Sequence, residues 1–483
     1  MKIKAIAGSE EKVKSDLLIL PLFKDNNSYG DLTSSIIGIV EGLIKKGIFK
    51  AELNEVYPLT TTEAPHPLIL LTGLGEREKI NGDRLRQAGG SAGSFCRQKS
   101  IKSISLSTAN LRETGLLPDT FVEGFLLSTY MFGKYKSENG SYCPELKILS
   151  KDRALKSRLP EIEAQIQAVF LCRDLVNTPS NDLTPDAFAK QALKLKSRKV
   201  SVKVLTEKQI ASAGMDAYLA VAKGSKNPPR FIEIRYRGGS KKSVVLIGKS
   251  ITFDSGGISI KPSSGMEKMK YDMAGGAAVI GIIKAAELLK LPVNLIGLLP
   301  AAENMPGGSA TRPGDIVSTI SGKTIEIANT DAEGRLALAD AIEYAKRFDP
   351  EFIIDIATLT GACAIALGNE AAAAMSNSEE LIKDIVKASE ATGEKVWPMP
   401  LYEEYREYLK SEVADIRNVG TDRAGSLVTA GYFLKEFAED IPWLHIDIAS
   451  IAWTDKDRPY CPKGATGFGV RLVTRLLRNL YQK

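Results

Sequence analysis

The sequence predicts an α/β protein in two parts: a smaller N-terminal α/β domain and a larger C-terminal α/β domain with a mostly parallel central sheet, joined by a linking helix. Three observations carry that prediction. Short apolar runs alternate with helical patterns along most of the chain, as in sheets covered by helices. A length of 483 residues exceeds one ordinary domain. Residues 152–175 are charged and helix-prone with no strand signal, which suits a helix bridging two domains.

In chain order, the runs at residues 17–22, 68–72 and 104–107 read as strands and residues 34–46 as a helix. This first part carries little obvious chemistry, so residues 1–160 are expected to be a non-catalytic domain with an oligomeric or regulatory role. The boundary is placed near residues 158–161, and residues 161–483 form the second domain. Strand signals recur there at residues 201–205, 230–236, 243–248, 293–299, 324–328 and 352–356. Helical patterns at residues 274–289 and 335–347 lie between them.

Composition removes several function classes. Hydrophobic residues make up 44% and charged residues 25%, the balance of a globular protein with a sizeable core rather than a disordered chain. A net charge of +6 over this length is too dilute to require a nucleic acid or membrane partner. No apolar run reaches the ~18 residues of a transmembrane helix. The N-terminus lacks a signal-peptide core, and five scattered cysteines without a Cys-x-x-Cys pair fit reduced thiols, so a cytoplasmic location is expected. With only His66 and His445 present, a multi-histidine metal site cannot be built. Any chemistry rests on carboxylates, lysines and arginine.

Those residues gather in two blocks. The apolar run VVLIG (244–248) leads into Lys249, Asp254 and Lys261, with Asp272 following, at the carboxyl end of a strand where α/β sheets build sites. The run TIEIA (324–328) leads into Asp331, Glu333 and Arg335; in an extended segment Asp331 and Glu333 would point to one side. Taken singly, the acidic pair reads as charge at a helix N-terminus, and Met269 as core. Together, four carboxylates without a histidine repel one another unless cations neutralise them, which is the composition divalent ions coordinate through oxygen. Four negative charges match two dications better than one. A lysine beside a dication loses its proton and becomes a ligand, whereas one further out keeps its proton and acts as an electrophile.

The stretch NTDAEGRL (329–336) resembles the signature of the leucyl aminopeptidase, or cytosol aminopeptidase, family of dinuclear metallopeptidases. The resemblance extends through GKSITFDSGGISIKPSSGMEKMKYDMAGGAA (248–278), NMPGGSATRPGD (304–315), TLTGA (358–362), RDLVNTPSN (173–181) and HIDIAS (445–450), covering most of residues 173–475. It implies that the second domain is the catalytic one, and that the chain is a cytosolic enzyme releasing leucine and other apolar residues from peptides with a free N-terminus. It implies that Asp254, Asp331 and Glu333 hold one divalent ion and that Lys249, Asp254, Asp272 and Glu333 hold the other. The ions expected are Mn or Zn, with Mg or Co as alternatives. Lys261 would polarise the scissile carbonyl. Arg335 would hold a bicarbonate as general base, answering the absence of any histidine in the two blocks. Met269, Asn329, Thr358 and Gly361 would surround the first side chain of the substrate, with Ala449 and Ala452 beside them. A homohexamer is the family expectation.

Ser250 departs from the glycine that usually follows the metal-binding lysine in that family. Some bacterial relatives also bind DNA, which makes an additional sequence-specific DNA-binding role the second reading. Its candidate stretches are residues 194–203 (KLKSRKVSVK) and 235–242 (RYRGGSKK). The small net charge favours reading them instead as a solvated helix end and a hairpin loop. A two-metal phosphatase would use similar carboxylates but needs a nest of backbone amides for phosphate, and the motif order argues against it.

Overall fold

The computed structural model describes residues 2–25, 27–62, 65–111, 118–137, 142–150, 152–239, 242–421 and 424–482. Its chain divides into two compact units. One comprises residues 1–166 with 455–463, the other residues 167–454 with 464–483. The linking helix, Arg153–Asn177, contributes residues to both.

The first unit is built on a six-stranded sheet. Its central strand, Leu17–Phe23, is apolar throughout and fully buried, lying between Leu68–Gly75 and Ser103–Ser107 in parallel register. A strand buried on both faces shows no alternation, which is why it reads as a continuous apolar run. Val56–Thr60 closes one edge in antiparallel register, and Glu145–Leu149 with Lys2–Ile6 forms the other. The helix Ser34–Lys45 starts where the Thr33 side chain caps the Ile36 N–H, and it buries Ile36 and Val40.

The second unit carries a nine-stranded sheet whose centre is parallel. Ser243–Gly248 runs between Phe352–Ala357 and Asn294–Asn304, and Trp443–Asp447 lies beyond Phe352–Ala357, all four in parallel register. Antiparallel strands flank them: Arg230–Arg237 and Val200–Leu205 on one side, Ala372–Ser376 on the other. Asn294–Asn304 is longer than its sequence signal because it pairs first with Ser243–Gly248 and then with Ser250–Asp254. Lys249 sits at the break between those two partners. The helix Ala274–Leu289 covers this region, and Gly248 permits its close approach. A Cβ on Gly248 would lie 2.5 Å from the Gly276 Cα.

Three expectations change. The run at residues 324–328 does not join the main sheet; Thr324–Glu326 forms a small sheet with Ile316–Ser318 and Ile416–Arg417. Asp331 lies in a turn rather than an extended segment, and the helix that follows begins at Glu333 and ends at Ala345. The connection after Arg237 is not a hairpin, because Arg230–Arg237 and Ser243–Gly248 lie on opposite sides of Asn294–Asn304. Ser240 and Lys241, within that basic stretch, fall outside the described residues. No described helix is long and apolar enough to cross a membrane.

Candidate metal centre and active site

Two chain reversals bring the acidic residues together at the carboxyl end of the parallel strands. Ser250–Asp254 delivers Asp254 at its tip, and the short helical segment Met266–Tyr271 delivers Asp272 immediately after it. The turn before the helix Glu333–Ala345 supplies Asp331, while Glu333 opens the helix. Oxygens of Asp254, Asp272 and Glu333 lie within 4.8 Å of one another, and all three residues are buried. Burial raises the carboxyl pKa of Asp272 and of Glu333, and mutual repulsion with Asp254 adds to it. Burial also raises that of Asp331, again with Asp254 adding.

The two lysines neutralise this group from different sides. Lys249 Nζ reaches Asp272 Oδ2 and Glu333 Oε1 at 2.8 Å each and donates to the Thr358 carbonyl at 2.9 Å. Its side chain is only 3% exposed. Burial would lower its pKa, but Asp272, Glu333 and Asp254 outweigh burial and hold it above the ordinary lysine value. Lys261 Nζ lies 2.7 Å from Asp254 Oδ2 and contacts Asp331 as well, yet its side chain is 21% exposed. Lys261 therefore has room to swing toward solvent, and Lys249 does not.

The fit to divalent cations rests on this donor set. Three buried carboxylates converge on one point, and Glu333 Oε2 has no hydrogen-bond partner among the described residues. A buried acceptor without a donor is costly unless a cation takes it. Lys249 Nζ reaches two of these three carboxylates. A carboxylate set of this kind suits a divalent cation.

Neighbouring residues hold these carboxylates in place. Asp254 Oδ1 accepts from the Asn304 amide at 2.7 Å and from the Gly256 N–H at 2.9 Å. Asp272 Oδ1 accepts from the Thr358 hydroxyl at 2.7 Å. Arg335 is buried two residues beyond Glu333 in the same helix and donates from Nη1 to the Asn418 carbonyl, while its Nε finds no partner among the described residues. Burial lowers the Arg335 pKa to about 10, which still leaves it charged at neutral pH.

Asn304 and Asn418 were not singled out from the sequence. Asn304 lies in a stretch that carries the family resemblance, but its contact with Asp254 depends on how Asn294–Asn304 pairs. Asn418 is fully buried; it accepts from the backbone N–H of Ala328 and donates to the Asn329 carbonyl at 2.7 Å. Nothing local in the sequence marks it. Of the expected pocket residues, Thr358 is buried against Asp272, Met269 and Asn329 are partly buried, and Gly361 is exposed at the start of the helix Gly361–Leu367. Ser250 turns its hydroxyl back onto the Gly248 carbonyl at 2.8 Å, so it displaces no acidic residue. Neither histidine joins the cluster. His66 bonds Ser15 and the Glu10 carbonyl, and His445 Nδ1 bonds Asp355 at 2.5 Å.

Comparison with known proteins gives the family. Residues 170–474 match the family model described as cytosol aminopeptidase family, catalytic domain, and residues 19–139 match that of its N-terminal domain. A protein of Geotalea uraniireducens named "Probable cytosol aminopeptidase" is 46% identical over 465 residues, covering 94% of each chain. A mutant of tomato leucine aminopeptidase matches with TM-score 0.88 at 32% identity, covering 99% of this chain and 96% of that one. The bottromycin maturation enzyme BotP in complex with Mn matches with TM-score 0.87 at 32% identity, covering 96% of this chain and 99% of that one. Parallel α/β architecture with a buried carboxylate and lysine cluster at its strand ends defines the class, a metal-dependent hydrolase. The chain belongs to the cytosol aminopeptidase family and is a metal-dependent aminopeptidase.

Proposed function

We propose that the chain removes the first residue from peptides with a free α-amine, preferring leucine and other apolar residues, with two divalent ions in the centre. The convergence of buried Asp254, Asp272 and Glu333 on Lys249 carries the reading. Asp254, Asp331 and Glu333 are assigned to one ion and Lys249, Asp254, Asp272 and Glu333 to the other, with Mn or Zn as the metals. When bound, such ions polarise a carbonyl and make water a competent nucleophile at neutral pH.

The remaining tasks fall to the chain itself. In the metal-free centre carboxylates hold the Lys261 pKa above the ordinary value although burial lowers it. As the more exposed of the two lysines, Lys261 is assigned the ammonium that donates to the scissile carbonyl oxygen. Arg335 has an unpartnered Nε and a charge kept at neutral pH, which suits it to a small oxyanion such as bicarbonate acting as general base. Met269, Asn329, Thr358, Gly361, Ala449 and Ala452 are assigned to the first side chain. A homohexamer in the cytoplasm is the assembly and location proposed, with residues 1–160 serving the oligomer or regulation.

The test uses paired substrates. Because the free amine is part of the binding geometry, acetylating leucinamide is expected to abolish turnover. Equal rates on acetylated and free leucinamide would refute the exopeptidase reading.

A further inference from the structure

Asp447 stands outside every role assigned so far, yet it touches both chain segments proposed to form the first-residue pocket. It ends the strand Trp443–Asp447, whose register partner at the end of Phe352–Ala357 is Ala357. From there one chain runs into residues 358–361 and the other into residues 448–452. The Asp447 carboxylate is fully buried and bonded to both. Its Oδ1 accepts from the Leu359 N–H at 3.1 Å and the Ala449 N–H at 3.0 Å. Its Oδ2 accepts from the Thr360 N–H at 3.1 Å and the Thr360 hydroxyl at 2.7 Å.

The Thr360 bond sets a direction. With its proton given to Asp447, the Thr360 hydroxyl presents a lone pair to the Cys363 N–H at 3.2 Å and so caps the helix Gly361–Leu367. Gly361 is the first residue of that helix, and a Cβ added there would meet nothing within 4 Å. One residue before the clamp, Thr358 binds Lys249 through its carbonyl and Asp272 through its hydroxyl. The segment is thus pinned to the metal centre at one end and to Asp447 at the other, with the pocket residues between.

We propose that Asp447 is a positioning residue that joins the two walls of the first-residue pocket and thereby sets the preference for leucine over smaller side chains. This rests on the pocket assignment made above. An acceptor-only carboxylate suits four donors, whereas an asparagine there would turn two hydrogens toward donors. The wall carrying Thr360 and Gly361 would then part from the wall carrying Ala449.

The experiment measures kcat and KM for leucinamide and alaninamide, with bound metal counted, on Mn-loaded wild type, Asp447→Asn, Thr360→Val, Thr360→Ser and Gly361→Val. Asp447→Asn and Thr360→Val are expected to lower the leucine-to-alanine ratio of kcat/KM by roughly tenfold, mainly through KM for leucinamide, without loss of metal. Thr360→Ser retains the hydroxyl and should keep the wild-type ratio. Gly361→Val projects a side chain into the proposed pocket and should lower the ratio by filling it. An unchanged ratio in Thr360→Val and Asp447→Asn beside a shifted one in Gly361→Val overturns the clamp; so does a loss equal for both substrates. An unchanged ratio in Gly361→Val overturns the pocket assignment beneath it. If Asp447→Asn does not fold, the Thr360→Val and Thr360→Ser pair decides.

Discussion

Adding a single methyl group at Gly334 tests whether the position of Lys249 matters to metal binding. A Cβ at that position would lie 2.5 Å from Lys249 Cε and 2.8 Å from its Nζ. Reaching ordinary contact near 3.5 Å requires the end of the lysine to retreat by roughly 1 Å. A shift of that size is enough to break bonds of Nζ, now at 2.8 to 2.9 Å. Gly334 lies in the first turn of Glu333–Ala345, where alanine returns up to about 1 kcal/mol of helix propensity. A buried ammonium parted from its carboxylate partners costs about 3–5 kcal/mol. The metal-free fold should therefore lose about 2–5 kcal/mol. Loss of a correctly placed donor should weaken one ion by about 10- to 100-fold. Thermal unfolding of the metal-free protein and metal titration of the folded protein separate the two effects. Wild-type affinity for both ions in Gly334→Ala would refute the reasoning.

Three further outcomes follow from the centre. Lys261→Ala should keep its metals and lose about 10²–10³ in kcat; a metal-free Lys261→Ala would show that the lysine roles are exchanged. Glu333→Gln should lower metal content and activity together, since it removes the charge proposed to be shared by both ions; full occupancy would contradict that sharing. The Lys249 ammonium is favoured in the metal-free centre, so a proton competes with the ion proposed to take its nitrogen, and affinity for that ion should fall as pH is lowered. Lys249→Met should weaken that ion and flatten its pH dependence, as metal stoichiometry against pH would show. Identical profiles in both proteins would remove Lys249 from the ligand set.

Much of this was legible in the sequence because it depends on local pattern. Fully buried strands such as Leu17–Phe23 and Ser243–Gly248 appear as unbroken apolar runs, and the helix Ala274–Leu289 stands out by its length and periodicity. The acidic residues were visible because four carboxylates without histidine have few uses other than binding cations. What stayed hidden depends on pairing between distant segments. The short strand Thr324–Glu326 has the composition of a main-sheet strand, but its partners are Ile316–Ser318 and Ile416–Arg417. The turn at Asp331 is held by Asn329, whose side chain accepts the Asp331 N–H, and alternation alone cannot report that. Residues 455–463 belong to the first unit although nearly 300 residues separate them from residue 166; their charged composition marks a loop but not where it packs. Asn418 acts through bonds to backbone groups far along the chain, which leave no motif; Asp447 lies in HIDIAS (445–450), but its bonds to Leu359 and Thr360 depend on which strands pair.

The central claim is that one buried cluster of carboxylates with Lys249 holds two divalent ions and that these ions drive release of the N-terminal residue. The most direct measurement counts metal in the purified protein while following leucinamide hydrolysis through chelation and reloading with Mn. Two ions per chain are expected, with activity lost on chelation and regained as the ions return. Full hydrolysis by the stripped protein, or full activity with a single ion bound, would contradict the claim.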